Sequence, residues 1–228
     1  MSPGAESPLL TRAELASRID HTILSPEATR SRVELTAVEA VEFGCASVCV
    51  QPDHVAFVKH LVGDRIAVCS VVGFPHGANL ARIKASEAAG AVAVGASEVD
   101  MVLGLGSISD GDFDQVRYEV ATVREAVPDT VLKVIVESAL WSDPMLREIC
   151  DAAVGAGADF VKTSTGFHQT GGATVEAVKT MRETVGRRAM VKASGGIRTL
   201  QDARRMLDAG ADRLGMSATA EVLASLPL

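Results

Sequence analysis

Short apolar runs rich in Val and Ile alternate along the chain with longer amphipathic stretches rich in Ala, with Gly or Ser at many of the corners. Several of the short runs are continuously apolar, as expected for strands of a parallel sheet that is covered on both faces. The pattern predicts eight strands, at residues 19–22, 47–50, 66–72, 98–102, 131–137, 160–162, 190–193 and 213–215.

Helices are predicted between these strands. Ser25 followed by Pro26 is typical of a helix start, and that helix is expected to run to about Phe43, with Gly44 beyond its end. Similar signals predict helices at residues 142–155, 174–185 and 199–209, and a short N-terminal helix is expected before the first strand.

Eight strand–helix units in 228 residues leave two architectures, a closed barrel or a doubly wound sheet. A dinucleotide-binding sheet should carry G-x-G-x-x-G after an early strand, whereas the nearest fragment, Gly104-Leu105-Gly106, lacks the third glycine and lies in mid-chain. No linker or block of charge interrupts the alternation. The predicted fold is therefore α/β, a single (β/α)8 TIM barrel, with residues 1–228 forming one domain.

Composition narrows the classes of partner. A formal charge of −7 argues against nucleic acid and anionic lipid surfaces, and the uncharged stretch at 66–81 contains Pro75, His76 and Asn79, so no membrane span is predicted. The N-terminal MSPGAESPLL lacks the features of a signal peptide, which favours a cytoplasmic protein with reduced cysteines. The four cysteines show no zinc-ligand spacing, so neither a metal nor a cofactor is expected.

Lysines on three consecutive predicted strands are the main chemical signal. Lys133, Lys162 and Lys192 each lie in otherwise apolar sequence, and Asp100 lies on the strand before them. A single strand lysine usually extends its ammonium group to water. Three lysines brought together should repel one another and lower the pKa of at least one. A neutral amine can attack a carbonyl carbon, so the group predicts Schiff-base chemistry, although this argument does not choose among the three lysines.

Glycine-rich corners provide a second signal. Backbone N–H groups at helix starts bind phosphate, and barrels commonly place such a site after strands seven and eight. Each glycine could equally serve only to make a tight turn. The candidate phosphate-binding residues are Gly171, Gly172, Gly195, Gly196, Gly215 and Ser217.

Several segments, in order from about residue 15 to 218, closely resemble those of the deoxyribose-phosphate aldolases. They are Ile19-Asp20-His21-Thr22, Val48-Cys49-Val50-Gln51-Pro52, Gly73-Phe74-Pro75-His76-Gly77, Glu98-Val99-Asp100-Met101-Val102, Lys162-Thr163-Ser164-Thr165-Gly166-Phe167 and Lys192-Ala193-Ser194-Gly195-Gly196.

The resemblance implies reversible cleavage of 2-deoxy-D-ribose 5-phosphate into D-glyceraldehyde 3-phosphate and acetaldehyde. It assigns the imine to Lys162 and proton transfer to Asp100 and Lys192. Lys133 would add positive potential near the imine, and Glu137 would be a structural partner for a lysine. The implied partner is a small sugar phosphate, and a homodimer is possible.

Two alternatives remain: a related lysine-dependent aldolase for another small aldehyde or sugar phosphate, and a non-catalytic sugar-phosphate-binding barrel. Three departures from the family pattern accompany the resemblance. Gly104 stands where Asn is expected, the segment at His168 and Gln169 is one residue longer than usual, and the chain ends in Leu-Pro-Leu without a terminal Tyr.

Overall fold

The alternation of strands and helices closes into a barrel in the computed structural model, which describes residues 11–226. Every strand pairs in parallel with the next, and β8 pairs with β1. The predicted (β/α)8 barrel is thereby confirmed. The strands are β1 (Ile19–Ile23), β2 (Ser47–Val50), β3 (Ala67–Val72), β4 (Glu98–Val102), β5 (Val131–Ile135), β6 (Phe160–Lys162), β7 (Met190–Ser194) and β8 (Arg213–Met216).

Helices cover the outside of the barrel, and the short N-terminal helix expected before the first strand is present as α1. The helices are α1 (Arg12–Ala16), α2 (Arg30–Phe43), α3 (Val55–Val62), α4 (Ala81–Ala93), α5 (Leu105–Ser109), α6 (Phe113–Ala126), α7 (Asp143–Gly155), α8 (Val175–Val185), α9 (Leu200–Asp208) and α10 (Thr219–Ala224). Two short 3-10 turns, at Pro52–His54 and Ser138–Leu140, complete the secondary structure of the described residues.

Several predicted helix ends are explained by their caps. Thr199 and Asp202 form a reciprocal capping box at the start of α9, and the Thr174 hydroxyl accepts a hydrogen bond from the Ala177 N–H in α8. Gly44 ends α2 in the left-handed conformation that glycine adopts without strain. Local hydrogen bonding therefore fixes where these helices begin and end.

The predicted start of α2 at Ser25 and Pro26 is wrong. The Ala28 N–H donates to the Ser25 carbonyl, so these residues form a turn with proline at its second position, and α2 begins only after Thr29. Proline at that position is as favourable in a turn as it is in the first turn of a helix. The local sequence therefore does not distinguish the two.

The main hydrophobic core lies between the strands and the surrounding helices, where valines of the strands pack against the small side chains of the helices. A second, smaller cluster consists of Leu24, Cys49, Cys69 and Val71, with Phe74 packed against it. Within residues 11–226, no helix is long and apolar enough to cross a membrane. The N-terminal segment and the last two residues, to which the targeting and terminal-Tyr expectations refer, lie outside the described residues.

Candidate active site

Strand pairing brings the three predicted lysines to one aspartate. Asp100 on β4 is the register partner of Lys133 on β5, and Lys162 on β6 is the partner of Lys192 on β7. All four side chains are almost completely buried, with Lys162 2% exposed. Charged side chains are rarely buried without partners, so this group must be internally paired.

Asp100 is the centre of this pairing. Its Oδ2 accepts hydrogen bonds from Lys162 Nζ at 2.8 Å and from Lys192 Nζ at 2.6 Å. Its Oδ1 accepts from Lys133 Nζ at 2.8 Å. One carboxylate oxygen is therefore shared by the two lysines that neighbour each other on β6 and β7. A proton can move between those amines through a single atom.

A second layer of charge surrounds two of the lysines. Lys192 Nζ lies 2.5 Å from Asp20 Oδ2, and Lys133 Nζ lies 2.6 Å from Glu98 Oε2. Arg213 joins both carboxylates, with Nη1 2.6 Å from Asp20 Oδ1 and 3.5 Å from Glu98. By contrast, Asp100 is the one carboxylate within salt-bridge distance of Lys162 among the described residues.

The seven charged groups do not balance when all are ionised. The cluster holds four cations, Lys133, Lys162, Lys192 and Arg213, against three anions, Asp20, Glu98 and Asp100. Loss of one proton from a lysine leaves the cluster neutral. Lys162 has the fewest carboxylate contacts of the three lysines, so its ammonium form is the least compensated.

The pKa directions follow from burial and these contacts. Burial would lower the pKa of Lys133 and of Lys192, but nearby carboxylates, Asp100 foremost, outweigh it, and both pKa values lie above the usual lysine value. Neither Lys133 nor Lys192 therefore has the lowered pKa that clustering was expected to give to at least one of the three lysines. Burial would raise the pKa of Asp100, but the three ammonium groups hold it well below its usual range.

A cavity of about 730 Å³ opens at the ends of the strands above this cluster. Within the described part of the chain, Lys162 is the only lysine that lines it. Lys133 and Lys192 lie behind the wall, in contact with the carboxylates. A molecule entering the cavity therefore meets the Lys162 amine first. This distinction between the lysines was not accessible from the sequence.

The candidate phosphate residues separate into two groups. Gly195, Gly196, Gly215 and Ser217 line the same cavity as Lys162. Gly196 has φ of 80° and nothing within 4 Å of its missing side chain, so its backbone can be approached closely. Arg198, two residues after Gly196, also lines the cavity.

Gly171 and Gly172 are not among the cavity-lining residues. A Cβ on Gly172 would lie 2.2 Å from the carbonyl oxygen of Gly195, so this glycine allows two loops to pack together. Gly171 closes an exposed turn, where its N–H donates to the His168 carbonyl at 3.3 Å. The longer segment around His168 is thus accommodated in that turn.

Charged strand residues at three further positions were missed as site residues. Asp20, Glu98 and Arg213 all lie in predicted strands; Asp20 and Glu98 are buried and Arg213 is partly exposed, and a charge within a predicted strand was the signal that identified the lysines. The same criterion would have found these three.

Glu137 has a different partner from the one expected. Its Oε2 accepts from the Thr165 hydroxyl at 2.7 Å and from the Thr165 N–H at 3.3 Å. No lysine is within salt-bridge distance of it in residues 11–226. The expectation that Glu137 pairs with a lysine is therefore wrong, because its side chain reaches beyond the lysine layer to the cavity wall.

Cys49, Cys69 and Asp100 place three possible metal-ligand atoms within 4.8 Å of one another. Both oxygens of Asp100 already accept from lysine ammonium groups, and Lys133 Nζ also lies 3.3 Å from Cys69 Sγ. A metal cation here would be placed beside three positive charges. The electrostatics of the cluster thus disfavour a metal ion at this position.

Gly104, which replaces the Asn of the family pattern, is closely packed. Its N–H donates to Glu119 Oε2 at 2.9 Å, and a Cβ at this position would lie 2.8 Å from Glu119 Oε1. Glu119 is in turn paired with the buried Lys84 at 3.0 Å. The glycine therefore makes room for a buried ion pair on the outside of the barrel.

Comparison with known proteins identifies relatives over nearly the whole chain. The family model described as DeoC/LacD family aldolase matches residues 15–222. Proteins named deoxyribose-phosphate aldolase are similar to the chain: one from Kocuria rhizophila is 53% identical, covering 96% of this chain and 99% of the relative. One from Mycolicibacterium paratuberculosis is 56% identical, covering 95% and 98%.

Among solved structures, a tetrameric deoxyribose phosphate aldolase from Aeropyrum pernix superposes with a TM-score of 0.86 at 36% identity. It covers 94% of this chain and 92% of its own. The similarity thus extends over nearly the full length in both sequence and fold.

Proposed function

Because this chain belongs to the DeoC/LacD aldolase family, we propose that it reversibly cleaves 2-deoxy-D-ribose 5-phosphate into D-glyceraldehyde 3-phosphate and acetaldehyde through a Schiff base on Lys162. The observation that carries the choice of nucleophile is the position of Lys162. It is the one lysine of the buried cluster that lines the cavity. It also has the fewest carboxylate contacts of the three lysines.

The reaction begins when the Lys162 amine attacks the C1 aldehyde of the open-chain sugar and water leaves. The resulting cationic imine accepts the electron pair of the C2–C3 bond as that bond breaks. The C3 hydroxyl gives up its proton and becomes the aldehyde of D-glyceraldehyde 3-phosphate. Protonation of the remaining enamine at C2 and hydrolysis of the imine release acetaldehyde and restore the amine.

Asp100 and Lys192 are the proposed proton-transfer groups. The shared Oδ2 of Asp100 connects Lys192 to the amine that reacts, with contacts of 2.6 and 2.8 Å. Such short contacts allow a proton to be delivered and recovered without movement of the backbone. Lys133, on the other oxygen of Asp100, holds that carboxylate in place and adds positive charge.

The phosphate is proposed to bind where Gly195, Gly196, Gly215 and Ser217 line the cavity, with the Arg198 guanidinium on the same wall. In a protein with a formal charge of −7, a dianion needs such a local site. Gly215 has a second role, since a Cβ there would lie 3.1 Å from Lys192 Cε. Gly171 and Gly172 support the neighbouring loop.

The decisive experiment is reduction with borohydride in the presence of acetaldehyde, followed by peptide mapping. An ethyl group is expected on Lys162 and should be absent in Lys162→Met. Lys84→Arg, which changes a buried lysine outside the site, is the matched control and should leave labelling intact. An adduct on Lys133 or Lys192 would reject the assignment, and no adduct at all would favour the non-catalytic binding barrel.

A further inference from the structure

Glu137 has an unusual backbone conformation beside the site. It lies two residues after the end of β5 and is the one residue other than glycine with a positive φ in residues 11–226, at φ 53° and ψ 56°. A side chain with a Cβ adopts this left-handed region only where the surroundings enforce it, and such residues concentrate at functional sites.

Hydrogen bonds on both sides of Glu137 hold the chain in this conformation. The N–H of Val136 donates to the Lys162 carbonyl at 2.9 Å, and the N–H of Ser138 donates to the Thr163 carbonyl at 2.7 Å. The backbone around Glu137 therefore runs along the residues that carry and follow Lys162. Its conformation is tied directly to the end of β6.

The Glu137 carboxylate is only partly satisfied. The residue is 1% exposed, Oε2 accepts from Thr165, and Oε1 is buried with no hydrogen-bond partner among residues 11–226. Burying an unpaired carboxylate oxygen is costly. Strain in the backbone and an unpaired oxygen in the side chain both oppose folding, so stability alone does not account for this residue.

The Thr165 hydroxyl is given a defined orientation by this contact. A hydroxyl has one hydrogen to donate, and at Thr165 it goes to Glu137 Oε2. Thr165 Oγ1 accepts in addition from the Phe167 N–H at 3.1 Å, which leaves one lone pair. Thr165, Gly166 and Phe167 line the cavity together with Lys162. Any further hydrogen bond at Thr165 Oγ1 must therefore be one that this oxygen accepts.

We propose that Glu137 is a positioning residue that makes Thr165 a hydrogen-bond acceptor for a hydroxyl group of the substrate. This inference rests on the proposed aldolase function. The contact between Glu137 and Thr165 then favours hydroxylated aldehydes over simple aldehydes as substrates. Acetaldehyde has no hydroxyl group, so its condensation with Lys162 does not use this contact.

The test compares two reactions in Glu137→Asp. Aspartate keeps the charge and tolerates the left-handed conformation, but it is one methylene shorter and withdraws the acceptor from Thr165. Cleavage of deoxyribose 5-phosphate should lose about tenfold or more in kcat/KM, while borohydride trapping of acetaldehyde on Lys162 stays near the wild-type rate. Glu137→Gln retains a side-chain oxygen at the same distance and should recover most of the loss.

A double-mutant cycle shows whether Glu137 acts through Thr165. Thr165→Val should produce the same selective loss, and the combination of Glu137→Asp with Thr165→Val should be no worse than Thr165→Val alone. Glu119→Gln is the control for a buried glutamate outside the cavity. It should lower the melting temperature without changing the ratio of the two activities.

Three results would overturn the proposal: equal losses in both reactions, an additive cycle, or a Glu137→Asp enzyme with unchanged kcat/KM. Failure of the aldolase assignment itself gives a different result, since the wild-type protein would then show no adduct on Lys162. If the wild-type protein is labelled on Lys162 but Glu137→Asp loses both activities equally, the positioning role alone is rejected.

Discussion

Replacing Lys192 with methionine separates two roles that the site assigns to this residue, proton transfer and electrostatic activation of Lys162. Both amines contact the same oxygen of Asp100, at 2.8 and 2.6 Å, so their nitrogens lie at most 5.4 Å apart. At an effective dielectric constant of about 20, two unit charges at this distance repel by about 3 kcal/mol. That energy corresponds to about two pH units in a titration.

The sign of the effect follows from the charges that remain. The pKa of Asp100 and that of Asp20 both lie below the usual range: burial would raise them, but neighbouring cations outweigh it, and each residue keeps a cationic partner without Lys192. These carboxylates therefore stay ionised. Without the Lys192 charge, the Lys162 ammonium group loses a repelling neighbour and keeps its carboxylate partner Asp100.

The assay is the pH profile of kcat/KM for deoxyribose 5-phosphate. In Lys192→Met the acid limb should move to higher pH by about two units, and part of the lost activity should return in alkaline buffer. Lys133→Met, which removes the cation on the opposite oxygen of Asp100, should move the limb less without removing the relay group. A Lys192→Met profile that is uniformly lower but not displaced would show that Lys192 acts only in proton transfer.

Three further predictions address the metal, the phosphate and the altered loop. Activity should survive EDTA, because ammonium groups occupy the Asp100 oxygens near Cys49 and Cys69. Loss of activity on chelation, with recovery when zinc is added, would contradict the amine mechanism. Deoxyribose should have a kcat/KM at least about tenfold below that of its 5-phosphate, because a single charged hydrogen bond is worth about 1.5–3 kcal/mol; equal rates would leave the cavity glycines with structural roles only. Gly104→Asn should cost about 1–3 kcal/mol of unfolding free energy in urea titrations, since its Cβ meets a carboxylate held by Lys84. Glu119→Asp, which shortens the side chain that carries this carboxylate, should restore part of the lost stability. An unchanged unfolding free energy in Gly104→Asn would mean that the loop adapts freely.

Hydrophobic periodicity was sufficient to predict the eight strands, and the lack of a complete G-x-G-x-x-G then favoured the barrel over a doubly wound sheet. Each of the eight predicted strands is present, because apolar β-branched runs between Gly-rich corners have few alternatives in a chain of this kind. The start of α2 could not be predicted, because Ser25 and Pro26 fit both a turn and a helix. Helix ends with their own caps, such as Thr199 with Asp202, were predictable from neighbouring residues alone.

The left-handed conformation of Glu137 is a property of its tertiary surroundings. Nothing in the sequence around it distinguishes it from an ordinary residue at the end of a strand. Its partner Thr165 lies on the next strand–loop unit, and the backbone on both sides is held by the carbonyls of Lys162 and Thr163. Contacts between residues far apart in the sequence thus determine both its strain and its partner.

Depth within the barrel separates Lys133 from Lys162, whereas Lys192 is the register partner of Lys162 and differs from it by its contact with Asp20 as well as Asp100. Lys133 pairs with Phe160, whereas Lys162 lies two residues further along β6, opposite Ile135, so Lys133 is one layer deeper. Lys162 is the last residue of its strand, while Lys133 and Lys192 are each two residues from the ends of theirs. Barrel enzymes place their chemistry at the carboxyl ends of strands, so distance from the strand end is the relevant quantity. Sequence patterns locate strand ends only to within a few residues, and a difference of two residues separates the cavity-lining Lys162 from the deeper Lys133.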